Sequence, residues 1–307
     1  MEEKKQVIVT GGAGFIGSNL TAGLIERGYE VHVIDDLSEG RLEKVHSHAH
    51  FHKVDIRDYP KLLETIKAAG PAYALFHLAA RPRVSYTIDF PKEAHDVNAT
   101  GTFNVFLAAK EAGVRRIVYS ASSAAYGDQE QSPLREDMLP NPKSPYGAQK
   151  YFGEIYAKVF AEVCGIETVS LRYFNVYGSL EASRGAYALV MDMFIKQRLE
   201  GKPMTITGDG TQTRDFTHIR DVVRANILAA ESLNVGKGEY MNIGSGKSRS
   251  IKGIAELIGG PIVHIAPRIE PKHTLADNAR AFELLGWKPE VSLEEGIAEL
   301  KKLAGLR

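Results

Sequence analysis

The 307-residue chain has one cysteine, Cys164, so it can form no intrachain disulfide and no cysteine metal cluster. That usage fits a reduced, cytoplasmic setting, with Cys164 read as plain packing near a helix end. No apolar run approaches the ~18–20 residues that a membrane span needs. The start, "MEEKKQVIVTGG", runs straight into a strand pattern, which predicts no signal peptide. Neither sign of charge prevails: 38 Lys and Arg stand against 38 Asp and Glu. A balanced chain has no electrostatic footprint for nucleic acid or an anionic membrane. Internal repeats, coiled-coil heptads and low-complexity tracts are absent too. A composition 44% hydrophobic and 25% charged is that of a soluble globular protein, and the length allows two domains.

The first half alternates short β-branched runs with helical patterns. Strands are predicted at 6–10, 30–35, 50–55, 73–78, 116–121 and 168–173, and helices near 15–27, 59–69, 91–112 and 147–164. Buried strands separated by helices predict an α/β fold with a Rossmann-type, doubly wound parallel sheet. A long connection rich in Pro, Gly, Asp and Asn covers about 122–145. It follows a strand's C-terminal end, where such sheets bind ligands. After about residue 174 the rhythm breaks. A helix over 187–201 stops at Gly201 with Pro203 just beyond, and later elements are short. The expected division is a nucleotide-binding domain over 1–174 and a smaller α/β substrate lobe over 175–307, some segments of which return to the first domain.

"TGGAGFIG" (10–17) follows the first strand and opens the first helix. It fits Gly-x-Gly-x-x-Gly through Gly12, Gly14 and Gly17, and Gly-x-x-Gly-x-x-Gly through Gly11, Gly14 and Gly17. Either spacing gives a tight turn, close approach of backbone to a pyrophosphate, and a helix N-terminus aimed at it. Phe15 and Ile16 lie within the same turn. The second strand ends in Asp35 and Asp36, near the offset expected for the acid that binds a ribose. A carboxylate there accepts from the 2′- and 3′-hydroxyls and repels a 2′-phosphate, which favours NAD over NADP. Asp55, with Ile56 beside it, is placed to reach the adenine; the alternative is a helix cap shared with Asp58.

"SPYGAQK" (144–150) starts a helix with Tyr146 and Lys150 at i and i+4, hence on one face. A free tyrosine titrates near 10, so it needs help to act as a base at neutral pH. A nearby ammonium and an oxidised nicotinamide would each stabilise the phenolate. Tyr146 could then take a proton from a sugar hydroxyl while hydride leaves the same carbon.

Taken in order, "TGGAGFIG", "HLAA" (77–80), "VNATGTFNVF" (97–106), "YSASSAAYG" (119–127), "YGAQK" (146–150), "LRYFNVYG" (171–178) and "GDGTQTRDFTHIRD" (208–221) closely resemble the extended short-chain dehydrogenase/reductases. Within those, the chain resembles the UDP-galactose (UDP-hexose) 4-epimerases over nearly its whole length. The resemblance implies roles. Ser122, four residues before Tyr126, would bond the sugar 4-hydroxyl. Lys150 would bond the nicotinamide ribose and hold down the Tyr146 pKa. Leu78, Ala79, Ala80 and Tyr173 would line the cofactor, with Asn98 in support. Ser123 would face the sugar or cap the turn. Asn175 would contact the sugar diphosphate, and Arg214 and Arg268 would clamp its phosphates. Arg268 stands in "PRIEPKH", where Glu270 comes one place earlier than the family's acid and the family's glycine is missing. A homodimer is also implied, built from the helices near 91–112 and 147–164.

Relatives that dehydrate a 4-keto sugar carry acids directly after the catalytic Ser/Thr; here Ser123 and Ala124 stand there. That favours oxidation at C4, rotation of the keto sugar and re-reduction. Thr274 holds a position that gates the pocket in this family, and a small residue leaves room for a 2-acetamido group. UDP-N-acetylglucosamine and UDP-N-acetylgalactosamine are therefore expected beside UDP-glucose and UDP-galactose. Arg81, Arg83 and Arg184 are read as solvated surface charges, the alternative being recognition of a uronic acid. A non-catalytic NAD(H) sensor on this fold would be expected to lack Tyr146 or Lys150.

Overall fold

The computed structural model describes residues 5–178, 190–266 and 273–306. Seven parallel strands form the central sheet: β1 (Gln6–Thr10), β2 (Glu30–Asp35), β3 (His50–Lys53), β4 (Ala74–His77), β5 (Arg116–Ser122), β6 (Glu167–Tyr173) and, beyond β6, the strand Lys237–Ile243. Their order runs from Lys237–Ile243 through β6, β5, β4, β1 and β2 to β3. The chain thus winds one way from β1 through β2 to β3, then returns to β4 and winds the other way. The reversal between β1 and β4 opens a crevice at the strands' carboxyl ends.

The strands are apolar because both faces are covered. Val7, Val9, Val31 and Val33 pack beneath the helices Phe15–Glu26 and Ile219–Glu231. Ile8, Ile34, Leu75 and Ile117 face the helices Tyr59–Ala68, Thr102–Glu111 and Pro145–Cys164. A third core, built on Met191, Phe194, Ile254 and Ile297, belongs to the smaller lobe. The second half of the chain therefore builds that lobe and also supplies a sheet strand and a covering helix to the first.

Two expectations need correction. The third strand ends at Lys53 rather than 55, because the Asp55 and Asp58 carboxylates accept backbone amides of Arg57 and Lys61 and turn the chain into a helix. The helix expected over 91–112 is broken: Pro91–His95 leads into a wider π-turn at Asp96–Gly101, and α-helix resumes at Thr102–Glu111. Of the helix expected over 187–201, the stretch Val190–Leu199 is helical, and 187–189 lie outside the described residues.

Candidate active site

A cleft of about 820 Å³ opens at the β1/β4 reversal and runs to the boundary of the smaller lobe. Gly11, Gly14, Phe15, Ile16 and Gly17 line one end. Gly11 has φ +75, and a Cβ there would stand 2.6 Å from the Ala79 amide nitrogen. A Cβ on Gly17 would lie 2.1 Å from the Gly11 carbonyl oxygen. Gly12 packs against Val33, where a Cβ would stand 2.6 Å from a side-chain carbon. Gly14 caps the helix Phe15–Glu26 without a side-chain bond, and its first turn carries no acid. The exposed amides and positive helix end suit a pyrophosphate.

The buried Asp35 carboxylate accepts from the Ala13 amide at 3.0 Å and the Leu37 amide at 2.8 Å, and it borders the cleft. Each oxygen keeps a lone pair for a ribose hydroxyl. Asp36 and Ile56 border the cleft as well. Asp55 does too, but its carboxylate is paired with the Arg57 guanidinium, which holds its pKa down. Leu78, Ala79 and Ala80 form the wall above β4, and Tyr173 closes the floor with its hydroxyl donating to Asn226 at 2.9 Å. These glycines, the open helix end and the strand-end acid fit a dinucleotide.

Asn98 lies behind this wall, not on it. Its amide donates to the Arg81 carbonyl at 3.0 Å and to Gln149 at 2.8 Å, while its oxygen accepts from the Arg81 amide at 2.6 Å. The π-turn aims Asn98 inward, so it holds the chain that follows Ala80. Arg81 is not a solvated charge: its side chain is 11% exposed, borders the cleft and pairs with Glu39 and Glu93. Arg83 pairs with Glu39. Arg184, Arg268 and Glu270 lie outside the described residues.

Toward the other end stand Ser122, Ser123, Tyr146 and Lys150. Ser122 ends β5, and its hydroxyl accepts from the Ala124 amide at 3.2 Å. Ser122 and Tyr146 border the same cleft, and the Ser122 side chain works to lower the Tyr146 pKa. Ser144 caps the helix Pro145–Cys164 by accepting from the Gly147 amide at 3.1 Å, so the Tyr146 and Lys150 positions follow from the helix start. Lys150 is buried, and its ammonium donates to the Ser120 carbonyl at 2.8 Å. Burial lowers its pKa to about 8, against the pull of Glu154. Burial also pushes Tyr146 up to about 12, and Ser122 opposes that rise. Desolvation of the phenolate outweighs the opposing influence of Ser122 in the cleft.

Asn175, Arg214 and Thr274 border the smaller-lobe side of the cleft. Asp215, which sequence reasoning passed over, organises Asn175 and Thr274. Its carboxylate accepts from Ser245 (amide 2.7 Å, hydroxyl 2.6 Å), the Gly246 amide at 3.0 Å and the Ala276 amide at 3.0 Å. Its carbonyl accepts from Asn175 at 2.9 Å, and its amide donates to the Thr274 hydroxyl at 3.4 Å. An acid directly after the motif arginine was the available signal. Also missed were Asp128 and Lys143, which border the sugar end and face each other at 3.9 Å.

Fold and cleft together define an extended short-chain dehydrogenase/reductase, a Rossmann enzyme with a Ser-Tyr-Lys set beside its dinucleotide site. The sequence model of the NAD-dependent epimerase/dehydratase family matches residues 7–244, and the chain belongs to that family. A UDP-glucose 4-epimerase of Mycolicibacterium smegmatis is 36% identical over 96% of each chain. The structure of a Thermotoga maritima UDP-glucose 4-epimerase with UDP-glucose aligns at TM-score 0.90 and 35% identity, covering 97% of this chain and 99% of that one. A UDP-N-acetylglucosamine 4-epimerase of Methanobrevibacter ruminantium, in complex with UDP-N-acetylmuramic acid, aligns at 0.89 and 34%, covering 98% and 99%. An NAD-dependent epimerase, an isomerase, is the class of this enzyme. Among the described residues, no helix is long and apolar enough to cross a membrane.

Proposed function

We propose that the enzyme is a UDP-sugar 4-epimerase that interconverts UDP-glucose with UDP-galactose and accepts the 2-acetamido pair as well. The observation that carries this is the Ser122–Tyr146–Lys150 set in one cleft, with Ser123 and Ala124 where a dehydratase needs acids. The nearest cleft carboxylate past them, Asp128, is 67% exposed and faces Lys143, a poor setting for proton transfer to C5 or C6 of a bound sugar.

Bound NAD would accept the C4 hydride and give it back. Gly11, Gly14 and Gly17 would hold its pyrophosphate, and Asp35 its adenosine ribose. Tyr146, relayed by Ser122, would take the proton from the 4-hydroxyl and later return it. Lys150 would position the cofactor ribose from beneath. The Tyr146 phenol, raised by burial, would be drawn down toward neutrality by the Lys150 ammonium together with the positive charge of an oxidised nicotinamide. Asn175 and Arg214 would hold the diphosphate while small residues leave the hexose free to turn. Thr274, short and held by the Asp215 amide, favours room for an acetamido group.

The homodimer reading gains support from Ile155, Val159 and Val163, three exposed apolar residues at i, i+4 and i+8 on one face of the helix Pro145–Cys164. Purified protein incubated separately with UDP-glucose and UDP-N-acetylglucosamine tests the substrate reading. The 4-epimer of each is expected; a 4-keto-6-deoxy product would overturn it.

A further inference from the structure

At the opposite end of the same strands stands a second cluster. Glu30 and His32 lie on β2, and His50 and His52 on the edge strand β3. The register pairs His32 with His50, and residues two apart share a face, so all four side chains crowd one patch. The donor atoms of Glu30, His32 and His50 lie within 4.8 Å of one another. His50 Nε2 stands 3.1 Å from a Glu30 oxygen. The His32 ring lies between those of His50 and His52, with centroids 4.8 and 5.3 Å away. His32 Nε2 is covered and has no hydrogen-bond partner.

We propose that Glu30, His32 and His50 bind one divalent ion of the zinc class, with His52 as the positioning partner of His32. Two imidazoles and a carboxylate suit zinc, copper or nickel better than magnesium or calcium. Bonds of about 2.0–2.2 Å would set the donor atoms roughly 3.4 Å apart, a short closure from the present spacing. His52 Nε2 lies 3.0 Å from His32 Nδ1. With the proton on His32 Nδ1, that nitrogen donates to His52 and leaves a lone pair on the orphaned Nε2, the usual outer support of a metal-bound imidazole. The site is separate from the cleft: Glu30 lies five residues from Asp35, roughly 16 Å along the strand. An ion there would tie the edge strand to its neighbour.

The test uses the full chain without a histidine tag, treated with chelator and titrated with zinc chloride alone by calorimetry, with melting followed in parallel. Glu30 and His50 are 38% and 54% exposed in their side chains, so Glu30→Gln and His50→Gln should fold as the parent does. One zinc per chain is expected, together with a melting temperature several degrees higher. Each variant should bind at least about tenfold more weakly while melting like the parent without zinc. Absence of saturable one-to-one uptake overturns the proposal. So does unchanged uptake in a His32→Gln/His50→Gln double variant, which would place the ion elsewhere, as at His46 and His48.

Discussion

The Lys150 ammonium donates to the Ser120 carbonyl, two residues before Ser122, and so ties the helix Pro145–Cys164 to the end of β5. Lys150→Met keeps the buried volume but removes the cation that would position the cofactor ribose. Turnover should fall by about 10²–10⁴-fold with the far-ultraviolet circular dichroism unchanged. Activity near that of the parent would show that the lysine has no part in the reaction.

Ser122 and Ser123 are adjacent and both border the cleft, and Ser122 is the one that works to lower the Tyr146 pKa. Ser122→Ala should lower kcat by about 10²-fold, because the proton path to the tyrosine is cut. Ser123→Ala should cost about tenfold or less, the scale of one ordinary hydrogen bond. Steady-state kinetics of both variants check the order.

Thr274 sits on the cleft wall beside Arg214 and Asn175. Thr274→Tyr would fill the space for a 2-acetamido group. The kcat/KM for UDP-N-acetylglucosamine should fall roughly 10–200-fold while that for UDP-glucose stays within a few fold. Parallel assays of the two substrates read this directly.

His77 bridges the hydroxyls of Thr10 at 2.7 Å and Thr102 at 2.9 Å, fully buried. Burial, with Lys150 nearby, lowers its pKa from 6.5 to about 3. Below pH 6.5 the unfolded chain takes up a proton that the folded chain refuses. Stability therefore drops as pH falls through that window, by up to about 1.4 kcal/mol per pH unit from this one group. The melting temperature of the parent should fall more steeply between pH 6 and 4 than that of His77→Asn. Parallel curves would remove His77 as the cause.

Much of the fold was legible because parallel strands buried on both faces read as apolar runs, as in 6–10 and 30–35. The glycine turn, Asp35, Tyr146 and Lys150 were legible because their spacings are local. What escaped depends on distant partners. Asn98 is fixed by Arg81 and Gln149, and the π-turn that aims it leaves no periodic mark. Asp215 acts through residues 30 and 61 positions away. The Arg172–Glu154 pair joins β6 to the helix bearing Lys150 through bonds of 2.7–3.2 Å, both side chains buried, and nothing in either segment announces the other.

The central claim is that C4 is oxidised and then reduced by the same hydride. UDP-glucose carrying deuterium at C4, incubated with the purified enzyme and analysed by mass spectrometry and proton NMR, tests it most directly. The account predicts UDP-galactose that retains the deuterium at C4, with no build-up of free NADH. Deuterium lost to solvent, or a product altered at C5 or C6, would contradict it.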